Sequence, residues 1–326
     1  MRVAKLRPSE HAARGAAEGY QNLRRAYLVG GVLAALLWSA DSQGAERPRV
    51  GVTLHPYFSW LSTIAGDTVE VVPVLPAGID PHTYQPRPRE LEILGTLDAL
   101  VLDGHGHDAY IEAMLKAAGT PKLRRIRPAR GVPGLSRHRH THGAEAHAHP
   151  DPHAYLSVSG AVQQIHNLAR SLGKLYPEHA DRYRGEARRY VRRLREVKAE
   201  GLRALGELEI SGLRMATFHD GYGYLFQELG LDVTAVVQPR HGADPSAREV
   251  ATTIERLRRQ EVFALFVEKD AQGPLLDLVR EGAGVRVYEL SHVAKGDYSR
   301  GKFLDEMGEN LASILAAARD YVDAQR

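Results

Sequence analysis

The chain has 326 residues, 43% of them hydrophobic and 25% charged, with a formal net charge of +3 and no cysteine. That length holds two domains of ordinary size, and that balance is typical of a soluble globular protein. The absence of cysteine excludes disulfides, thiolate metal sites, cysteine nucleophiles and a lipid-anchored N-terminal cysteine.

Residues 1–45 read as a signal peptide. Arg24 and Arg25 precede an apolar run over 26–40, which is too short and glycine-rich for a membrane span but suits a signal-peptide core. Small residues follow, and cleavage is expected near Ala40 or Ala45, leaving a protein exported to the periplasm; a retained N-terminal anchor is the alternative. The segment holds six Lys/Arg and three Asp/Glu, so 37 of each remain in the mature chain. The basic charge is therefore largely lost with the leader, and with it the case for a nucleic-acid partner.

Beyond the leader, strands are predicted over 49–54, 69–75 and 99–102, and a weaker one over 123–126. Helices fall between them over 59–65, 86–94 and 109–118. The segment 137–153, RHRHTHGAEAHAHPDPH, carries six of the sixteen histidines. Imidazole suits zinc, copper and nickel, and the alternating small and polar residues have nothing to bury. The segment therefore reads as a metal-handling loop in which His138, His140, His142, His147 and His149 form accessory sites. A solvated linker is the plain alternative. The tract ends in Asp151-Pro152-His153, and the same tripeptide occurs at Asp80-Pro81-His82, well away from any histidine-rich tract.

A helix over 154–175 follows. Apolar residues over 177–209 then recur at steps of three to five among Arg, Glu and Lys, which predicts one long amphipathic helix starting at Pro177; a coiled-coil dimer stripe competes with that reading. Strands resume over 213–218, 233–237, 262–267 and 285–290, with helices over 222–229, 247–260, 274–281 and 302–324. The fold class is thus α/β, with two mostly parallel sheets flanked by helices and joined by one long rigid helix. The lobes span 46–176 and 210–326, with 177–209 linking them. His82, His219 and His292 lie beyond the carboxyl ends of strands, where such sheets bind ligands, and His153 follows a loop able to reach that edge. Each alone is also explained as a turn residue or a hydrogen-bonded core residue; together they make a metal site.

The chain resembles the metal-binding receptors of bacterial ABC importers for zinc and manganese. The likeness covers almost the whole mature chain and rests on VLPAGIDPHTYQP at 74–86, DPHAYL at 151–156 and FHDGYGYL at 218–225. It implies two α/β lobes bridged by a backbone helix, a monomer that serves a membrane permease, and metal ligation by His82, His153 and His219. Many members carry an aspartate at the fourth position, where this chain reads Glu289-Leu290-Ser291-His292. His292 is the expected fourth ligand, with Glu268, Asp297 or water as alternatives. Asp220 and Glu268 are candidates to accept the second ring N–H of a ligand. The cargo expected is Zn2+ ahead of Mn2+, because four nitrogens disfavour an oxygen-seeking ion. Two rivals remain. A zinc metallohydrolase would need an open coordination position and a general base, and the chain has no His-Glu-x-x-His helix. A periplasmic metal buffer or adhesin would need no permease.

Overall fold

The computed structural model describes residues 46–81, 84–135, 151–238, 245–269 and 271–326. His82 and the accessory histidines of 137–149 lie outside the described residues.

Short apolar runs form eight strands among the described residues: β1 (Arg49–Val52), β2 (Glu70–Pro73), β3 (Ala99–Val101), β4 (Arg124–Ile126), β5 (Met215–His219), β6 (Val233–Gln238), β7 (Ala264–Glu268) and β8 (Arg286–Leu290). They build two four-stranded sheets of the same topology, β2-β1-β3-β4 and β6-β5-β7-β8. Every pairing is parallel, with Val50 opposite Val71 and Ala99, and Thr217 opposite Val236 and Phe266. Parallel strands need crossovers, and helices supply them. In the first sheet these are α1 (His55–Ala65), α2 (Pro88–Gly95) and α3 (Tyr110–Ala117). In the second they are α6 (Gly223–Glu228), α7 (Ala247–Arg259) and α8 (Pro274–Ala283). The helix predicted over 59–65 begins four residues earlier, at His55, because Pro56 sits in the first turn, where its missing N–H costs nothing.

Between the sheets run α4 (Val158–Leu175) and α5 (Ala180–Gly206), and α9 (Lys302–Ala324) closes the chain. The long helix α5 packs along α4, α1 and α9, so it touches elements from both halves. Its 27 residues span about 40 Å, shorter than 177–209 predicts because Pro177–His179 forms a separate 3-10 turn. Gly201 is buried within α5, and a Cβ there would lie 3.3 Å from the Leu311 side chain, so the missing side chain lets α9 approach. Tyr183, Ala187, Tyr190, Val191, Leu194 and Leu205 are buried on the inner stripe. Leu202, which the periodicity places in that stripe, is exposed, because the stripe passes through Gly201 instead.

One large core, including Trp60, Tyr155, Tyr183, Phe226, Phe266 and Phe303, runs between the sheets and takes side chains from both. Two smaller clusters lie behind them, around Met114 under the first sheet and Leu265 under the second. Among the described residues no helix is long and apolar enough to cross a membrane.

Candidate metal centre

In each sheet the chain leaves the first strand for one neighbour and later returns on the other side. That reversal opens a crevice beyond the carboxyl ends of β1 and β3, and of β5 and β7. His219 is the last residue of β5 and Glu268 the last of β7. Opposite them, the loop after β3 carries His107, and His153 precedes the 3-10 turn Ala154–Leu156. His292 lies just after β8.

These side chains converge. Ring centroids of His153 and His292 are 4.6 Å apart, those of His219 and His292 5.3 Å, and those of His153 and His219 5.6 Å. His107 joins them at 4.9 Å from His153 and 5.6 Å from His292. All four rings are buried. Their ligand atoms form two triads that share His292: His107, His153 and His292, and His219, Glu268 and His292, with the atoms of each triad mutually within 4.8 Å. Two nitrogens on one tetrahedral ion lie about 3.4 Å apart, so a small inward adjustment brings such donors onto a metal.

Each donor is held by its surroundings. Asp151 Oδ1 lies 2.6 Å from Nδ1 of His153 and accepts the His153 backbone N–H at 2.9 Å. A carboxylate on Nδ1 fixes the tautomer and turns Nε2 toward the crevice. The Tyr155 hydroxyl lies 3.3 Å from Nδ1 of His107. The loop bearing His107 is bound by two buried acids. Asp103 accepts from the His105 and His107 backbone N–H groups and lies 2.8 Å from the Tyr57 hydroxyl. Asp108 accepts from Thr53 Oγ1 and from the Asp103 N–H. Burial, with Asp108 adding to it, pushes Asp103 up to about 7, and burial likewise raises Asp108. Burial and the charge of Asp80 raise Glu268, and Lys295 opposes them.

His219 and His292 meet over a glycine. A Cβ on Gly221 would stand 2.8 Å from Nε2 of both rings. Before His292, Asn310 of α9 grips both backbone groups of Ser291, at 2.6 and 2.9 Å, and the Tyr222 hydroxyl donates to the Leu290 carbonyl at 3.1 Å. After it, Val293 sits at φ 56°, a conformation that costs a β-branched residue roughly 1–3 kcal/mol and persists only where packing dictates it.

A series of contacts ties this segment to the first sheet. Gly296 O accepts from the Gly78 N–H at 3.1 Å and lies 2.8 Å from His55 Nε2, Tyr298 stacks on His55 at 3.8 Å, and the Tyr298 hydroxyl donates to Leu75 O. Ser59 Oγ donates to Ser299 O at 2.8 Å.

Of the residues singled out in the sequence, the structure therefore brings together His153, His219, His292 and Glu268. Asp297 is exposed and joins neither triad. Asp220 is half-buried beside His219 in the chain, and Asp151, which the sequence did not single out for this role, lies on a ring nitrogen of His153. His107 is the buried histidine of this cluster that sequence reasoning missed.

Two parallel α/β sheets with histidines gathered between them describe a known kind of protein. The family of the periplasmic component A of the zinc-uptake complex, ZnuA, matches residues 50–317. The chain belongs to this family. ZnuA-family proteins are extracytoplasmic binding receptors rather than enzymes. The structure of the substrate-binding protein FpvC from Pseudomonas aeruginosa with Ni2+ is 40% identical, with a TM-score of 0.78 over 84% of this chain and 98% of that one. A structure of FpvC with Mn2+ gives a TM-score of 0.77 at the same identity. A crystal structure of ZnuA itself is 25% identical, with a TM-score of 0.71 over 83% of this chain and 99% of that one. Among curated relatives, the zinc-binding protein AdcA of Streptococcus pyogenes serotype M3 is 24% identical over 260 residues, 75% of this chain. The chain spans about half the length of such curated relatives.

Proposed function

We propose that the chain captures a divalent transition-metal ion, zinc foremost, between its two sheets in the periplasm and delivers it to the permease of an ABC importer. The observation that carries this reading is the convergence of buried His153, His219 and His292, drawn from both halves of the molecule, onto one crevice. On this reading His82, His153, His219 and His292 are the ligands, residues 46–176 and 210–326 are the two lobes, and residues 1–45 are removed on export. The protein works as a monomer, and the histidines of 137–149 hold further metal more weakly than the crevice.

Capture suits the donor set better than catalysis. Four protein ligands close a tetrahedral shell, whereas a hydrolytic zinc keeps a position for water. Relatives named for zinc favour that ion, and FpvC with Ni2+ and with Mn2+ supports divalent metal binding in general. Delivery to a permease, rather than buffering, rests on family membership.

Calorimetry with zinc and manganese on the mature protein, His292→Ala and His292→Asp tests the reading. The alanine variant is expected to weaken zinc binding at least about tenfold, a loss that removing even an outer partner of a ligand produces. The aspartate variant is expected to keep zinc and narrow its lead over manganese, since oxygen donors suit manganese. Unchanged zinc affinity in His292→Ala would remove His292 from the ligand set.

A further inference from the structure

The four positions that the family pattern marks are enough for zinc, yet the described residues offer another nitrogen. His107 sits in the loop after β3, 2% exposed, its ring 4.9 Å from His153 and 5.6 Å from His292. Its ligand atom lies within 4.8 Å of theirs. We infer that His107 is a further ligand of the cargo ion, giving a shell of more than four protein donors that admits ions of the nickel and cobalt type alongside zinc. The inference rests on the capture reading above.

Three features support it. The Tyr155 hydroxyl at Nδ1 of His107 mirrors Asp151 at Nδ1 of His153, so in both rings Nε2 is the nitrogen presented to a metal. The loop is fixed from below: Asp103 takes the backbone N–H groups of His105 and His107, and Asp108 takes that of Asp103. The backbone at His107 is thereby held at the mouth of the crevice. Finally, the His107 ring packs against that of Tyr155, centroids 5.5 Å apart, so a fully buried side chain holds it beside the other imidazoles.

The chemistry then decides the class of ion. Zinc in a closed protein site is almost always four-coordinate. A fifth imidazole adds little for zinc but a full bond for an ion that accepts five or six donors. Nitrogen donors suit nickel and cobalt, and disfavour the oxygen-seeking manganese and magnesium. His107 is therefore expected to narrow the preference for zinc over nickel.

The test uses Co2+, Ni2+ and Zn2+ alone as probes, on the mature protein and on its His107→Ala and His107→Gln variants. Four-coordinate cobalt lacks a centre of symmetry and absorbs strongly in the visible, whereas five- and six-coordinate cobalt absorbs weakly. The unaltered protein is expected to give the weak spectrum and His107→Ala the intense one. Competition between Ni2+ and Zn2+ is expected to shift at least about tenfold toward zinc in both variants. Circular dichroism and melting of the metal-free proteins identify a variant that has not folded, and the glutamine variant preserves most of the ring's volume. A folded variant with unchanged cobalt spectrum and unchanged competition would overturn the inference and leave capture standing. Failure of the unaltered protein to bind any of the three ions would overturn both.

Discussion

Gly221 shows how closely the site is fitted at the scale of single residues. No positive φ demands glycine there; the demand is space, since a methyl group would stand 2.8 Å from Nε2 of both His219 and His292. Gly221→Ala is therefore expected to leave the fold and melting temperature of the metal-free protein nearly unchanged. Metal affinity in calorimetry should fall at least about tenfold, as for other disturbances of ligand placement. Equal affinity in the two proteins would show that the rings do not use this space. The residues proposed as ligands differ in how legible they were. His153 and His219 stand in motifs, and His292 follows a strand that its apolar run announces. His107 lies in Asp103-Gly104-His105-Gly106-His107, where the sequence does not say which histidine turns inward. That choice is made by Asp103 and Asp108 binding the loop's backbone, a contact with no periodicity. Asp151 was visible as part of a turn, but its bond to its neighbour's ring nitrogen is a matter of side-chain rotamer.

Among the elements, α4 depends on a residue from the other half of the chain. Glu228, the last residue of α6, accepts from the Val158 and Ser159 N–H groups at the start of α4, at 2.5 and 2.7 Å, and pairs with Lys198 of α5 at 3.0 Å. A carboxylate on the first N–H groups of a helix satisfies donors that have no partner within it and meets the positive end of the helix dipole. Glu228→Ala leaves those donors and Lys198 without their acceptor, and is expected to cost about 1–3 kcal/mol. Urea unfolding of the metal-free protein should show this as a lower midpoint at unchanged slope. The helix itself was readable from its apolar spacing, as was the alternation of strands and helices throughout. Strand order was not: parallel strands of similar composition give no local sign of which two are neighbours. Since β5 and β7 lie side by side at the reversal, His219 and Glu268 come together, and only the topology shows it.

Across the whole molecule, the two halves meet at α5 and at the segment following His292. The latter contact turns on His55, whose burial lowers its pKa from 6.5 to about 4. Between those values the unfolded chain binds more protons than the folded one. The contribution of His55 is thus complete above about pH 6.5 and is lost as pH falls toward 4. Asp103, raised from 3.8 to about 7, acts oppositely, its burial costing stability as pH rises through that range. The stability difference between the metal-free protein and His55→Gln isolates the first effect. It is expected to shrink from pH 6.5 to 4, and a difference independent of pH would refute the assignment. The placement of donors on both sheets carries a last consequence. An ion held in common by the two halves acts as a removable cross-link, present only in the folded chain. On the capture reading, a free-ion concentration a hundred times the dissociation constant adds about 2.7 kcal/mol to the folded state. On the same reading, chains without cargo open more often and meet proteases sooner, so the lifetime of each chain would come to follow the supply of the ion it binds.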